Sequence, residues 1–597
     1  MKKIKFMDTS FRDGFQSYFG ARVLTKDFIP AVEAAAAAGI DHFEAGGGAR
    51  FQSLFLYCGS SAFDMMDKFR EAAGPDAKLQ TLARGINVVA LSAQPKDMIN
   101  LHAKTFSNHG ISHIRNFDCL NDVRNLDYSG RCITDAGLHH QVCVTMMELP
   151  PHCSGAHDAE FYAKSLKDIL DSGLPFDSVC FKDASGTSNP QKVFETIKKA
   201  RSLLGKDIEI WLHSHATAGI GLLQYKAGIE AGCDGVCLAR KPVSGGTAQP
   251  DLLSMWHALK GTDYSLDIDY KKILEANEVF KDCMKDYFFP PEALAVSPEV
   301  ILSPMPGGAL TANTMMMRDT GTLHLYSKVI EEMSEVVAKG GFGTSVTPMS
   351  QFYFQQAYAN VTLGRWKKIT EGYGKTVLGH LGHTPSKPDP KIVKLAKEQL
   401  GLETYSGDPV DKIEPGVPKA KALLEKEGLP VTDENIFIVG ALATKGGNKG
   451  LDFLQGKATI SVRKVSKDTT EKTPEISKAN TPTSSDSGNY TVTVDGKSYN
   501  VSVATGTGVV QAIIPATPAP ATEHGGGAIE VKAKLPGNVL KISVKMADAI
   551  KKGDTLLVLE AMKMETPVIA TDNGTIASIH VEQGDVVKAG QLLVTIG

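Results

Sequence analysis

The chain has 597 residues, 42% of them hydrophobic and 22% charged, with a formal net charge of −3. That length calls for several domains, and the composition is that of an ordinary soluble protein. The near-neutral balance gives no electrostatic footprint for nucleic acid or an anionic membrane, and no apolar run approaches bilayer length.

The N-terminal stretch reaches Asp8 too soon for a signal peptide, so a cytoplasmic protein is expected. All nine cysteines lie between Cys58 and Cys283 and none forms Cys-x-x-Cys. Cys233 and Cys237 have no matching second pair, which argues for reduced, buried thiols over a zinc knuckle.

Short apolar or β-branched runs alternate with helical patterns through the first half. The candidate strands are Ile4–Asp8, His42–Ala45, Leu79–Arg84, His113–Asp118, Gln141–Met146, Ser178–Asp183, Ile208–His215 and Asp234–Ala239. Amphipathic helices such as Phe28–Ala38 and Pro190–Leu204 separate them. Eight βα units predict an α/β fold, a closed (β/α)8 TIM barrel over residues 1–263. Residues 264–463 read as a mainly helical extension, with apolar spacing of three and four in Val329–Val337 and Ile392–Leu400.

Residues 464–488 turn to Lys, Thr, Ser, Pro, Glu and Asn with no apolar face, a linker. Within 489–503, Tyr-Thr-Val-Thr-Val and Tyr-Asn-Val-Ser-Val flank Asp495-Gly496, a β-hairpin signal. So small a unit is expected to dock against another domain or subunit, and an oligomer is expected. Residues 504–528 form a second linker rich in Pro, Ala and Gly, extended and semi-stiff in its Pro-Ala part.

Residues 529–597 hold an internal repeat. Ala533, Gly537, Val544, Asp548 and Gly553 recur 37 positions later (570 − 533) as Ala570, Gly574, Val581, Asp585 and Gly590. Val539/Ile576, Ile542/Ile579 and Leu556/Leu593 follow the same offset. Two copies of one short-strand pattern predict a small β-unit with pseudo-two-fold symmetry. Lys563, in Ala561-Met562-Lys563-Met564, falls on the turn joining the halves, where a modifying enzyme can reach it.

In parallel barrels, chemistry collects where strands end. Arg12, Asp13 and Gln16 follow the first strand; Arg84-Gly85 ends the third, Phe117-Asp118 the fourth, and Lys182-Asp183 the sixth. His213 and His215, two apart on the seventh strand, project from one face. With Asp13 they form a two-nitrogen, one-carboxylate metal set. His139-His140 precede a strand at the opposite end and are expected to be structural or exposed. Lys182 has three open readings: an ion-pair partner, a Schiff-base lysine, or a carbamate formed with CO2 that binds metal. Gly46-Gly47-Gly48 reads as a tight backbone turn, since neither it nor Gly447–Gly450 supplies a phosphate-loop pattern.

The repeat and Glu560-Ala-Met-Lys-Met-Glu565 resemble the biotinyl domain of biotin-dependent carboxylases and decarboxylases; lipoyl domains share the fold but usually carry Asp-Lys-Ala at the turn. Asp8-Thr-Ser-Phe-Arg-Asp-Gly-Phe-Gln-Ser17, Phe-Lys-Asp-Ala-Ser-Gly around Lys182, His-x-His at 213–215 and Pro306-Gly-Gly-Ala-Leu-Thr311 look like the carboxyltransferase domain of pyruvate carboxylase and the α subunit of oxaloacetate decarboxylase. The ordered set resembles most the B subunits of two-subunit pyruvate carboxylases.

The resemblance implies transfer of CO2 between carboxybiotin on Lys563 and a 2-oxo acid, pyruvate/oxaloacetate. It implies a divalent ion, zinc or manganese, held by Asp13, carbamylated Lys182, His213 and His215. It assigns the oxo acid and its enolate oxygen to Arg12, Gln16 and Arg84, a role that suits the planar guanidinium fork. It gives Thr311 the proton passed between the substrate methyl carbon and the biotin ureido nitrogen. Where the family has Trp-Gly-Gly-Ala-Thr-Phe this chain has Gly46-Gly-Gly-Ala-Arg50-Phe51; a family tyrosine falls at Leu91 and a family histidine at Phe15. None of these is a proposed ligand.

No ATP-using unit is evident, so a separate biotin carboxylase subunit is expected to charge the biotin that a biotin-protein ligase attaches. Membrane decarboxylase subunits are the alternative partner, which would make the chain the α subunit of a sodium-pumping oxaloacetate decarboxylase. Two rivals remain. One is a metal-dependent lyase or aldolase sharing Arg-Asp-Gly and His-x-His, against which the Lys182 context and the biotinyl repeat argue. The other is a carrier and scaffold protein with an inactive barrel, against which the intact candidate ligands at four separate positions argue.

Overall fold

In the computed structural model of the chain, the described residues are 1–444, 447–465, 488–494, 497–503, 529–533, 537–561, 564–588 and 590–597. Eight strands form the barrel: β1 Lys2–Asp8, β2 His42–Glu44, β3 Lys78–Ala83, β4 His113–Asn116, β5 His139–Thr145, β6 Ser178–Asp183, β7 Glu209–Ser214 and β8 Gly235–Leu238. They pair in parallel from β2 through β8 to β1, and Asp8 opposite Phe43 closes β1 onto β2. A ninth strand, β9 Tyr264–Leu266, lies parallel to the start of β1.

Helices follow the local signals. Pro190–Leu204 starts where the Asn189 side chain accepts the Lys192 N–H at 2.9 Å, takes Pro at its first turn and stops before Gly205. The turn after β2 leads into helix Gly48–Tyr57. Gly47 has φ 83°, and a Cβ there would sit 2.0 Å from Thr81 Oγ1, so the glycine run is the tight turn expected of it.

The barrel interior carries a polar layer where branched aliphatic layers are usual. Arg115 Nε donates to Gln141 Oε1 at 2.6 Å, Gln80 Nε2 donates to the same oxygen at 3.2 Å, and Gln141 Nε2 donates to Ser178 Oγ at 3.1 Å. The expected placement of His139 and His140 ahead of a strand is corrected: they are its first two residues. His140 is buried, with its Nδ1 2.6 Å from Pro175 O. Backbone pairing to the neighbouring strands extends β5 past its apolar run.

Helices Tyr326–Lys339, Met349–Leu363, Glu371–Val377 and Pro390–Leu400 build a second core, in which Val336, Met349 and Tyr353 join Met7, Leu82 and Trp211 of the barrel. The extension therefore packs over the barrel interior. Lys464, the first residue of the expected linker, still bridges Tyr287 and donates to Asp27 Oδ2 at 2.6 Å.

Asp118, just past β4, ties barrel to extension. Its carboxylate accepts N–H groups of Leu120 and Asp122 at 2.9 and 3.0 Å and the Asn125 amide at 3.1 Å. Asn125 also donates to Leu381 O at 2.8 Å, and Asp122 accepts the His383 N–H at 2.8 Å. Burial pushes Asp118 up to about 7, against the N–H donors that lower it. A raised carboxyl stabilises the fold fully below its ordinary pKa of 3.8 and loses that contribution as pH rises through about 7. Asp118→Asn is therefore expected to flatten the decline of thermal midpoint between about pH 4 and 7 relative to the parent, as read by calorimetry.

The described residues of 529–597 form two four-stranded antiparallel sheets with the expected pseudo-symmetry. Lys545 N donates to Asp548 Oδ2 at 2.7 Å, and Glu582 N to Asp585 Oδ2 at 2.8 Å. Ala533, Val539 and Leu556 are buried, as are Ala570, Ile576 and Leu593. Strands Thr555–Ala561 and Met564–Ile569 form the central hairpin with Ala561 opposite Met564. Met562 and Lys563 lie outside the described residues. Strands Gly488–Val494 and Lys497–Val503 pair as the second expected hairpin, and its Asp495-Gly496 turn also lies outside them.

Candidate active site

After β1 the chain makes a π turn, Ser10–Gly14, that runs directly into helix Phe15–Phe19. Wide turns of this kind recur at functional sites. This one carries Arg12, Asp13 and Gln16 to the C-terminal mouth of the barrel. A cavity there is lined by all three together with Arg84, Lys182 and His215, with Leu82, Phe117 and Val346 as apolar wall.

Asp13 Oδ2 lies 3.3 Å from His213 Nε2, 3.4 Å from His215 Nε2 and 3.1 Å from Arg12 Nη2. Among the described residues these are the one set of three potential metal ligands, with ligand atoms within 4.8 Å of one another, all buried. Burial pushes the Asp13 carboxyl up, but Arg12, His215 and His213 outweigh it and hold the group well below the usual carboxylate range. Burial holds His213 neutral, aided by Lys182. An ionised carboxylate and a neutral imidazole are the forms that bind metal.

The residues fit a metal ion on two further counts. His213 Nε2 is buried with no hydrogen-bond partner. His215 Nδ1 donates to Thr247 O at 2.7 Å, which leaves the lone pair on Nε2, where the Gln249 amide now donates at 2.9 Å.

Lys182 is buried, makes no ion pair among the described residues and has its nitrogen 5.8 Å from the Phe117 ring centroid. Burial lowers its pKa, against the pull of Asp13. The ion-pair reading of Lys182 thus has no partner here. Arg12 spans the site: Nη2 also reaches Glu44 Oε1 at 2.6 Å, and Nη1 donates to Gln16 Oε1 at 3.1 Å. Arg84 Nη1 is anchored on Val89 O at 2.7 Å and Ala90 O at 3.0 Å.

Thr311 is not in the cavity wall. It sits in helix Gly307–Asp319 behind Pro306 and Gly308, its hydroxyl donated to Ser17 O in a short bond and 3.3 Å from Thr247 Oγ1. Of the positions that depart from the family pattern, Phe15 and Arg50 are fully buried against each other, the guanidinium carbon 5.5 Å from the ring centroid, and Leu91 is half-buried outside the cavity. Gly46 also stands outside the wall, whereas Gly48, which keeps the residue of the family pattern, lines it.

Three functional neighbours went unread in the sequence. Glu44 ends β2 and is fully buried with Oε2 unpartnered; a carboxylate at a barrel strand end was the available signal. Arg115 sits inside β4 with Nη1 3.3 Å from His213 Nδ1. Thr247 follows the glycine pair after β8.

Residues 300–503 match the family model described as "Conserved carboxylase domain", and residues 529–596 that described as "Biotin-requiring enzyme". The chain is 31% identical over 569 residues to the B subunit of pyruvate carboxylase from Methanocaldococcus jannaschii, covering 94% of each. It is 29% identical over 439 residues to the methylmalonyl-CoA carboxyltransferase 5S subunit of Propionibacterium freudenreichii, covering 73% of this chain and 85% of that one. The carboxyl transferase domain of Rhizobium etli pyruvate carboxylase, solved with pyruvate and biocytin, shares the fold with a TM-score of 0.67 at 24% identity, over 73% of this chain and 75% of that one.

Proposed function

Since the chain belongs to the family of pyruvate carboxylase B subunits and their biotin-dependent carboxyltransferase relatives, we propose that it moves a carboxyl group between biotin on its own Lys563 and a 2-oxo acid, pyruvate/oxaloacetate, in the barrel mouth. The observation that carries this reading is the charge in that mouth. Arg12, Arg84 and Lys182 line it beside Asp13, and the buried Arg115 and Glu44 lie within electrostatic reach of Lys182. Four cations facing two carboxylates attract further anions: an oxo acid, and a carbamate on Lys182.

Asp13, His213, His215 and carbamylated Lys182 would hold zinc or manganese, and biotin on Lys563 would carry the carboxyl group. When bound, these groups supply a Lewis acid for the oxo oxygen and a one-carbon store. Arg12 and Arg84 bind the oxo-acid carboxylate, with Gln16 fixing the Arg12 fork. Their charge stabilises the enolate oxygen in a water-poor cavity. Thr311 exchanges one proton between the methyl carbon and the carrier nitrogen. The extension over the mouth excludes bulk water.

The partner that charges the chain is a separate biotin carboxylase, as relatives named for one subunit of pyruvate carboxylase suggest, and a biotin-protein ligase is its modifying enzyme. No helix of the described residues is long and apolar enough to cross a membrane. Nine unpaired thiols suit a reducing, cytoplasmic compartment. The test is to assay oxaloacetate formation from pyruvate by the biotinylated chain with biotin carboxylase, ATP and bicarbonate, against Arg12→Ala. The variant should lose at least about a hundredfold in kcat/KM. Unchanged kcat/KM would remove Arg12 from the site.

A further inference from the structure

Thr247 touches both halves of the machinery. Its backbone carbonyl accepts the Nδ1–H of His215 at 2.7 Å. Its hydroxyl lies 3.3 Å from that of Thr311 and donates to Ser17 O at 2.8 Å. Thr247 and Thr311 are fully buried. The helix that carries Thr311 is seated on the same residue: a Cβ on Gly307, its first position, would lie 1.6 Å from Thr247 O. Two residues on, Gln249 is steered by Thr9 Oγ1 at 2.8 Å and donates to His215 Nε2 at 2.9 Å. The loop after β8 therefore fixes both nitrogens of His215 and the register of the Thr311 helix.

The described arrangement does not itself move a proton. A hydroxyl has one proton and two lone pairs. Thr311 donates its proton to Ser17 O, and Thr247 donates its own to the same oxygen at 2.8 Å, with Ala293 O a second acceptor at 3.3 Å. For Thr311 to act, its O–H must leave Ser17 O and turn to the cavity. Thr247 is the one described side chain in hydrogen-bond reach of the Thr311 oxygen.

We propose that Thr247 is a positioning residue for proton transfer, donating its hydroxyl to Thr311 Oγ1 once Thr311 turns to the substrate. Protons and electron pairs balance. One lone pair of Thr311 accepts the Thr247 O–H. The other accepts the substrate methyl proton, whose C–H electron pair stays behind in the enolate. The proton already on Thr311 goes to the carrier nitrogen. One proton enters and one leaves, and Thr311 ends as a neutral hydroxyl. Ser17 O, freed of both donors, keeps the backbone as their resting place. The inference rests on the proposed role of Thr311.

The test uses the full biotinylated chain with its carboxylase partner and compares Thr247→Val, Thr247→Ser and Thr311→Ala, with metal content and thermal midpoint measured on each. Thr247→Val should lower kcat about ten- to a hundredfold, the scale of a positioned acid–base contact, with KM for pyruvate and metal content within about twofold of the parent. Thr247→Ser should restore kcat to within about threefold of the parent, because it keeps the hydroxyl. Thr247→Val with parental kcat, or Thr247→Ser as slow as Thr247→Val, would overturn the inference. So would a loss of metal or a raised KM that accounts for the whole defect. Thr311→Ala separates the two claims. If it is inactive while Thr247→Val is parental, only the Thr247 assignment fails. If Thr311→Ala is itself active, the reading beneath it fails.

Discussion

Lys182→Ala should abolish carboxyl transfer, with turnover down at least about a thousandfold, roughly 4 kcal/mol of lost transition-state stabilisation, and should strip the bound metal at the same time. Lys182 is the fifth residue of β6, and its register partner on the next strand is His213. It is buried, has no carboxylate paired to it among the described residues, and has its pKa lowered by burial, so its neutral, CO2-reactive form is more accessible than that of a surface lysine. Adding CO2 to the ammonium form turns a cation into an anion and releases two protons, one on forming the neutral amine and one on forming the carbamate. Beside the Asp13, His213 and His215 set, that anion would be a fourth ligand. It also brings three buried cations to face three carboxylates.

The rival roles make other demands. A Schiff-base lysine would be trapped by borohydride with substrate, and its loss would leave the metal in place. An ion-pair lysine would be replaced in part by arginine. The expected pattern is metal lost from Lys182→Ala, no borohydride trapping, and partial recovery of metal and activity on adding a short carboxylic acid that fills the vacated place. Metal analysis by mass spectrometry together with the oxaloacetate assay reads all three. Full metal occupancy in Lys182→Ala would exclude the carbamate.

Much of this architecture is legible in the linear pattern, for reasons that can be named. Strand β6 and helix Pro190–Leu204 are bounded as expected because Asp183, Asn189-Pro190 and Gly205 punctuate them chemically. The His213/His215 pair is legible because strand periodicity puts alternate residues on one face. The repeat in residues 529–597 is legible because buried small and aliphatic positions recur at one offset.

What stays hidden is created by closure. Arg115 on β4 and His213 on β7 meet only across a rolled sheet. In the sequence His113–Asp118 reads only as a strand, with nothing to single out Arg115, yet that arginine is among the largest fully buried side chains of the described residues. Glu44 is masked in the same way, because its partner Arg12 lies 32 positions away. Thr311 is recognisable only by resemblance. A threonine near a glycine pair has no chemical signature, and its hydroxyl rests on Ser17 O outside the cavity wall. The positions that depart from the family pattern look ominous in the sequence, yet Phe15 and Arg50 stabilise each other in the core behind the site.

Lys563→Arg should eliminate overall carboxylation while leaving the barrel and its metal intact. Arginine keeps charge and length but cannot form the amide that attaches biotin. The folded unit that carries it should be unaffected, since its core is Val539, Leu556, Ile576 and Leu593 with their neighbours, all of which the substitution leaves in place. The loss is expected to exceed about a thousandfold, because a tethered carrier is presented at millimolar effective concentration and a missing one at none. A reaction that still ran would mean that the carboxyl group reaches the barrel by another route.

The most direct measurement is therefore a transfer chase. The biotinylated chain is charged with radiolabelled bicarbonate, ATP and a biotin carboxylase, freed of nucleotide, and mixed with pyruvate, the oxaloacetate being trapped by reduction. The expected result is label on the parent protein before pyruvate, label in the four-carbon product after it, and none in either place for Lys563→Arg. Label that stays on the protein when pyruvate arrives, or labelled product from Lys563→Arg at the parental rate, would contradict a carrier arm serving this barrel.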